Sequence, residues 1–340
     1  MWIAERAEVA PEEGFGGVVV EVVSASGPTA FEAVAKLRAK LDRRQTFGYV
    51  DYILFGEDAV SDDLAKYADY PARSPEFRFS PKAFVVHGGS AKDLLSDTNS
   101  ADVFVLDSLD NFKSNANSRS DVKLVRYIEL MNMLDRRDAA VILPAVTGRE
   151  PEDIEIVDGE LPEKKLSFAG YAVVRDFKLC GYFDADITRG YNFLTGNVKS
   201  CAYSISDGHG NYAGLDVMSD GWRVVPHFDG GELVGVTIFV DVNAAVTEQR
   251  TRADIHTRQG LSRLSAHLSR AIEEEMQTVI AKSKEFGLDC FGLGDKIKLR
   301  HPYKWRKIEN KWREIYQEID IDAAVNANIG RVYDLRETSG

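Results

Sequence analysis

Four cationic residues near the end of the chain are the best candidates for binding a partner or a membrane: Lys304, Lys307, Lys311 and Arg313. Aromatic side chains are interleaved with them. A lysine-rich amphipathic helix with aromatic residues can lie on an anionic membrane surface or meet an acidic partner. These four residues are therefore candidate partner or membrane contacts. The more frequent explanation, which we favour, is that the aromatic residues form a packed stripe and the cations its solvated face.

The aromatic stripe requires a helix to position it. Trp305, Ile308, Trp312 and Ile315 recur at spacings of three and four residues, which predicts one apolar helical face. This helix begins at Pro302, a position that tolerates proline because its N–H has no helical partner. Before it, residues 289–294 (DCFGLG) form a glycine-punctuated hinge that follows a long helix.

A second group of residues is compatible with acid–base catalysis. Asp184 and Asp186 precede Arg189 in a predicted strand-end loop, and two carboxylates near an arginine can act as general acid and base. The more frequent explanation is a surface loop in which Arg189 pairs locally with one of these acids. We favour that explanation.

The remaining motifs indicate neither a metal nor a cofactor. The six histidines, which include His209 and His256, do not pair at the spacing of metal ligands. Gly292-Leu293-Gly294 lacks the preceding strand and the third glycine of a dinucleotide fingerprint. The sequence therefore predicts a non-enzymatic protein that acts through contacts.

Composition restricts the class of protein further. At 340 residues the chain is long enough for two or three domains, and its net charge of -12 argues against nucleic-acid binding. No apolar run is long enough to span a membrane, and no signal peptide is visible. We expect either a cytoplasmic protein or a soluble truncation of an exported one.

The element pattern predicts an α+β fold with three domains, each a β-sheet flanked by helices. Residues 1–98 alternate strands and helices, which indicates an α/β-type domain, and residues 99–197 form a middle α+β domain. A helix is expected at 121–134 and a loop or edge hairpin at 148–162. Residues 198–340 are expected to form an antiparallel sheet covered by two long helices, with hairpin turns at 207–211, 219–221 and 229–231.

Several motifs, in this order, resemble the Ger(x)C family of spore germination proteins. They span residues 29 to 333 and are found at 29–33 (TAFEA), 47–57 (FGYVDYILFGE), 74–78 (SPEFR), 170–173 (GYAV), 179–182 (LCGY), 188–194 (TRGYNFL), 289–294 (DCFGLG) and 303–305 (YKW), the last continuing to Trp312.

The resemblance implies the C subunit of a nutrient germinant receptor. It implies a three-domain α+β lipoprotein on the outer face of the spore inner membrane, acting with membrane-embedded A and B subunits. Family members carry a lipid on an N-terminal cysteine that this chain lacks, so we expect a soluble truncation with the first strand missing or altered. The family has no established catalytic residues that could be assigned to positions in this chain.

An alternative function remains open at this point. The protein could be a module that binds a small-molecule germinant in an interdomain cleft, because such clefts are common pocket sites. Tyr171, Tyr182 and Tyr191 are the candidate lining residues.

Overall fold

The computed structural model describes residues 2–8, 18–40, 47–96, 105–118, 122–136, 140–149, 165–206, 212–249 and 257–332. The predicted turn at 207–211, with His209, lies outside the described residues, as does His256. Most of the predicted loop at 148–162 also lies outside them.

The described chain forms two compact units. The first comprises Met1–Lys113, Leu124–Arg137 and Val141–Tyr182, and the second comprises Ser114–Lys123, Asp138–Ala140 and Phe183–Gly340. The α+β class is confirmed. The boundaries of these units do not coincide with those of the three domains expected from the sequence, and that three-domain division stays a prediction.

The described residues of the first unit form eight strands and five α-helices, of which the fourth helix and the last strand end in residues of the second unit. In chain order they are β1 (Trp2–Glu8), β2 (Val18–Ser24), α1 (Ala30–Arg38), β3 (Tyr52–Gly56), α2 (Glu57–Arg73), β4 (Lys82–Val86), α3 (Ala91–Ser96), α4 (Val105–Ser118), β5 (Val125–Arg126), α5 (Tyr127–Leu134), β6 (Val141–Arg149), β7 (Lys165–Arg175) and β8 (Lys178–Asp184). β1 and β2 form an antiparallel pair, so a strand is present where we expected a missing or altered one.

The main sheet of this unit has the strand order β3-β4-β6-β7-β8, with β5 paired to β4. β3, β4 and β6 run parallel to one another, whereas β7 is antiparallel to β6. Apolar residues are buried on both faces of this sheet: Ala83 and Val85 belong to one cluster, and Phe84 and Val86 to another. This two-sided burial explains why the strands read as continuous apolar runs.

The helix expected at 121–134 is only partly correct, because residues Val125–Arg126 form a strand and α5 begins at Tyr127. The Glu129 carboxylate accepts the backbone N–H of Arg126 at 2.8 Å and also binds its guanidinium group. Arg126 is also the strand partner of Lys82 in the antiparallel pairing of β5 with β4. Sheet pairing and this cap together start the helix later than its apolar periodicity indicates.

The second unit is a four-stranded sheet covered by helices. Its elements are α6 (Thr188–Leu194), β9 (Ser200–Ser206), β10 (Tyr212–Asp229), β11 (Glu232–Gln249), α7 (Arg258–Phe286), α8 (Leu293–Arg300), α9 (Pro302–Ile308), α10 (Trp312–Glu318) and β12 (Asp320–Val332). The strand order is β12-β11-β10-β9.

Two details of this sheet differ from the sequence-based expectation. Residues 219–221 do not form a turn; β10 continues through them with a bulge, because β11 extends far enough to pair on both sides of it. β12 is parallel to β11, so the sheet is not wholly antiparallel. The helices α7 to α10 form the crossover that a parallel connection requires. Only α7 is long; the second expected helix, from Pro302, is divided into α9 and α10, and α8 is an additional helix between the hinge and Pro302.

The outer edge of β12 is capped by side chains from α7. Backbone N–H groups of Val325, Ala327 and Ile329 donate to Glu273, Ser269 and Ser265, at 2.9, 3.1 and 3.3 Å. The three acceptors lie four residues apart, and so on one helical face. They satisfy the donors of an edge strand that would otherwise be open to pairing with another chain.

Replacing Ser269 by alanine should therefore lower the free energy of unfolding by about 1 kcal/mol, because the Ala327 N–H loses its acceptor. Denaturant unfolding would measure the change. Ser262→Ala, on the exposed side of α7, is the matched control and should have almost no effect. Equal destabilisation by the two variants would contradict the capping role.

Candidate functional site

The hinge at residues 289–294 is a turn organised by one carboxylate. Asp289 Oδ1 accepts the backbone N–H groups of Phe291 at 3.2 Å and Leu293 at 2.9 Å. Its Oδ2 accepts the Gly294 N–H at 2.8 Å and the indole N–H of Trp312 at 3.2 Å. Desolvation raises the pKa of this carboxyl, and the four donors act in the opposite direction. Asp289 thus caps the start of α8 and fixes Trp312 to it.

Two tryptophans pack over this turn. The rings of Trp305 and Trp312 meet edge-on with centroids 5.2 Å apart, and both side chains are buried. A Cβ on Gly294 would lie 2.7 Å from Trp305 and 2.8 Å from Trp312, so only glycine permits this approach. The structure therefore assigns both tryptophans of the predicted stripe to the core.

The end of the stripe is joined to α7. The hydroxyl of Tyr316, a fully buried residue, lies 2.6 Å from Ser283 Oγ, which donates to the Leu288 carbonyl at 2.7 Å. Desolvation raises the pKa of Tyr316 well above its usual value. The buried hydroxyl groups are thus satisfied where α7 ends and the turn begins.

One side of α8 and α9 is anchored to β10. Lys296 Nζ lies 4.9 Å from the ring centroid of Trp222, and Lys304 Nζ lies 3.6 Å from that of Phe228. Between them, Arg300 donates to the Val224 carbonyl at 2.6 Å. These cations, four residues apart, bind along one half of β10. Lys304 thus has an intramolecular role that the sequence did not reveal; its role as a partner or membrane contact stays a prediction.

The other three candidate contacts are exposed. Lys307 lies on α9, Lys311 in the turn between α9 and α10, and Arg313 in the first turn of α10. Lys307, Lys311 and Arg313 are thus exposed residues close together in sequence, where α9 gives way to α10.

Arg189 has a different partner from the one expected. It forms a bidentate ion pair with Glu275 of α7, where its Nε lies 2.8 Å from Oε2, and its guanidinium lies 3.8 Å from the centroid of the Tyr203 ring. Tyr203 also donates to Glu275 at 2.7 Å. The expected pairing of Arg189 with Asp184 or Asp186 is therefore wrong. Both aspartates are exposed, whereas the network joins α6, α7 and β9.

The three tyrosines proposed to line a cleft are used within the two units. Tyr171 is 1% exposed in the first unit and Tyr191 is 3% exposed in the second, so both are core residues. Tyr182 donates to Glu57 at 2.8 Å. That prediction is wrong for Tyr171 and Tyr191, because packing occupies their rings.

Glu57 is the centre of a small polar cluster in the first unit. Its Oε2 accepts the Gly88 N–H at 2.6 Å and the Tyr182 hydroxyl at 2.8 Å, and lies 3.2 Å from His87 Nδ1. Burial opposes ionisation, but these groups outweigh it and lower the pKa of Glu57. The cluster ties the start of α2 to the ends of β4 and β8.

Both halves of the chain match domains of a known protein family. The family model for the N-terminal domain of spore germination proteins matches residues 4–148. The model described as spore germination B3/GerAC like, C-terminal, matches residues 169–333. The chain belongs to the Ger(x)C family. The family resemblance of the sequence is thereby confirmed, and it links the chain to spore germination.

Individual relatives agree with this assignment. Spore germination protein B3 of Bacillus subtilis (strain 168) is 23% identical over 318 residues, which cover 90% of this chain and 79% of that protein. Putative spore germination protein YfkR of the same strain is 19% identical and covers 88% of this chain and 76% of its own. The crystal structure of the GerBC protein matches with a TM-score of 0.62 and 17% identity, over 97% of this chain and 98% of that one. This Ger(x)C chain therefore shares the GerBC fold.

The Ger(x)C relatives are named as germination proteins and not as enzymes. Among the helices in the described part of this Ger(x)C chain, none has both the length and the apolar character needed to cross a membrane.

Proposed function

We propose that this Ger(x)C protein is the non-enzymatic C subunit of a nutrient germinant receptor. The supporting observation is the match to both family domains in the family order, which together extend over residues 4–148 and 169–333. In its full-length form the subunit is held by an N-terminal lipid at the outer face of the spore inner membrane. It acts there through contacts with the membrane-embedded A and B subunits.

The experiment that tests this role is purification from dormant spores of the source organism. The inner-membrane fraction should contain the protein, and the two membrane-embedded subunits should co-purify with it. Mass spectrometry of its N-terminus should detect a diacylated cysteine. Recovery from growing cells as a soluble protein, without either subunit, would refute the proposal.

The exposed cations of α9 and α10 are the proposed contact surface for those subunits. All four candidate contacts are exposed and give a positively charged surface on a chain whose net charge is -12: Lys304, Lys307, Lys311 and Arg313. Such a surface selects acidic partner loops and speeds their association.

Changing Lys304, Lys307 and Lys311 together to glutamate should reduce the rate of nutrient-triggered germination on the order of tenfold or more, because like charges would then oppose the partner. The fold should persist, with a stability loss of about 1 kcal/mol from the Lys304 contact with Phe228. The loss of optical density of spores after nutrient addition measures the rate.

The matched control reverses three exposed lysines of the first unit, Lys92, Lys113 and Lys178, which changes the net charge by the same amount. Germination of these spores should be close to normal. If the control and the α9–α10 variant germinated equally slowly, overall charge rather than this surface would explain the defect.

A further inference from the structure

The bend between α8 and α9 presents two large apolar side chains to solvent. Leu299 and Tyr303 are each 80% exposed, and they lie four residues apart on either side of His301. His301 leaves helical geometry with φ -134° and ψ 59°, which divides the helix at this point. Large apolar residues exposed together are unusual on a soluble surface and mark interaction sites.

Cations flank this apolar pair. Lys298 and Arg306 are both exposed, and the Arg306 guanidinium lies 5.9 Å from the centroid of the Tyr303 ring. Between residues 293 and 313 the sequence has eight lysines and arginines against two acidic residues, a local charge of +6 in a chain of net charge -12. The segment that contains the bend therefore has a positive local charge in an otherwise acidic protein.

Several other side chains of this basic segment make contacts within the second unit, and His301 at the bend packs edge-on against Phe228. Lys296, Arg300 and Lys304 bind to β10. Trp305 and Ile297 are buried in the core. Lys298, Leu299, Tyr303 and Arg306 remain on the exposed side, and we call these four residues the basic–apolar corner.

We propose that the basic–apolar corner binds the surface of an anionic phospholipid bilayer. Lys298 and Arg306 would lie against lipid phosphates, the amphipathic Tyr303 ring at the headgroup level, and Leu299 at the acyl boundary. The corner is an exposed bend between two short helices, and a bilayer can receive such side chains without a matching groove. An acidic protein would satisfy the charges but would need a preformed pocket for both apolar side chains. This inference goes beyond the proposed receptor role, because it depends only on this surface.

Co-sedimentation of the chain with lipid vesicles tests the proposal. The chain should bind vesicles of phosphatidylglycerol and phosphatidylcholine, and should bind much less to phosphatidylcholine alone. Raising the salt concentration should weaken binding, since screening is strong beyond about 8 Å at physiological ionic strength.

Two double variants separate the charge from the apolar contribution. Lys298→Glu with Arg306→Glu should weaken binding on the order of twentyfold or more, because each cation near an anionic surface contributes about fivefold. Leu299→Ser with Tyr303→Ser should weaken it by about tenfold or more through the lost apolar burial. Circular dichroism should show an unchanged fold for both, because all four side chains are exposed.

Matched controls come from the first unit. Phe31→Ser with Tyr49→Ser removes two exposed aromatic side chains, and Lys92→Glu with Lys178→Glu makes the same change in net charge. Both controls should bind vesicles like the unmodified chain.

Three results would overturn the proposal: an unmodified chain that does not bind the anionic vesicles, corner variants that bind them normally, or controls that lose as much binding as the corner variants. Binding of the corner to an acidic peptide such as polyglutamate, without vesicle binding, would replace the lipid by a protein partner. The vesicle assay contains no receptor subunit, so its failure leaves the proposed receptor role to its own test.

Discussion

Replacing Trp305 by alanine is expected to lower the free energy of unfolding of the second unit by about 3–5 kcal/mol. The side chain is only 9% exposed, and its ring meets Trp312 edge-on at 5.2 Å. Its outer ring atoms also cover Gly294, which has no side chain to fill the space left by truncation. The variant would therefore create a cavity between α8 and the helices that follow. Urea unfolding followed by fluorescence would measure the loss, since Trp222 and Trp312 remain in the same unit.

Tyr303→Ala is the matched control in the same helix. Tyr303 lies two residues before Trp305 but is 80% exposed, so its truncation should change stability by less than about 0.5 kcal/mol. The two variants should thus separate packing from surface binding. A Trp305→Ala protein of normal stability that had lost only partner or vesicle binding would show that this tryptophan serves a contact surface and not the core.

The burial of the tryptophans was predictable because helical periodicity is a local property of the sequence. Residues at three- and four-residue spacing share a face wherever a helix forms, so Trp305 and Trp312 were expected together. The contact of Lys304 with Phe228 was not predictable in this way. It joins residues 76 positions apart in sequence, and only the path of α8 and α9 along β10 brings them together.

Errors in the predicted fold have the same origin. Asp220-Gly221 is a strong local turn signal, but a strand opposite it continues and converts the turn into a bulge. β12 is parallel to β11 where a wholly antiparallel sheet was expected, because the apolar pattern of a strand does not encode its direction. Likewise, Ser265 and Ser269 had no evident role in the sequence. Their hydroxyl oxygens accept backbone N–H groups of a strand that lies about 60 residues away. Elements and faces were therefore readable, whereas pairings between distant segments were not.

Asp289 combines both situations. Its position before Gly292 and Gly294 marked a hinge, but the sequence could not show that one carboxylate organises it. Three of its donors are local backbone N–H groups, and the fourth is the indole of Trp312, 23 residues later. The hydrogen bonds of a helix cap are thus extended to a tertiary contact, which makes Asp289 a sensitive site for substitution.

Asp289→Asn should destabilise the second unit by about 3–4 kcal/mol, almost as much as Asp289→Ala. Each carboxylate oxygen accepts two N–H donors: Oδ1 from Phe291 and Leu293, Oδ2 from Gly294 and Trp312. An asparagine amide has only one acceptor oxygen, so in either orientation its NH₂ group faces two other donors. Urea unfolding measures the effect.

The isosteric control is Asp322→Asn on exposed β12, where a change below about 0.5 kcal/mol is expected. Near-normal stability of Asp289→Asn would mean that one oxygen suffices and that half of the observed donors contribute nothing. Trp312→Phe removes the indole donor and, because this ring is buried against Trp305, also some core packing, while the three backbone donors of the turn keep their acceptors. The stability lost by Trp312→Phe is therefore an upper limit for the indole hydrogen bond, and a larger loss in Asp289→Asn reports the contribution of the backbone donors of the turn.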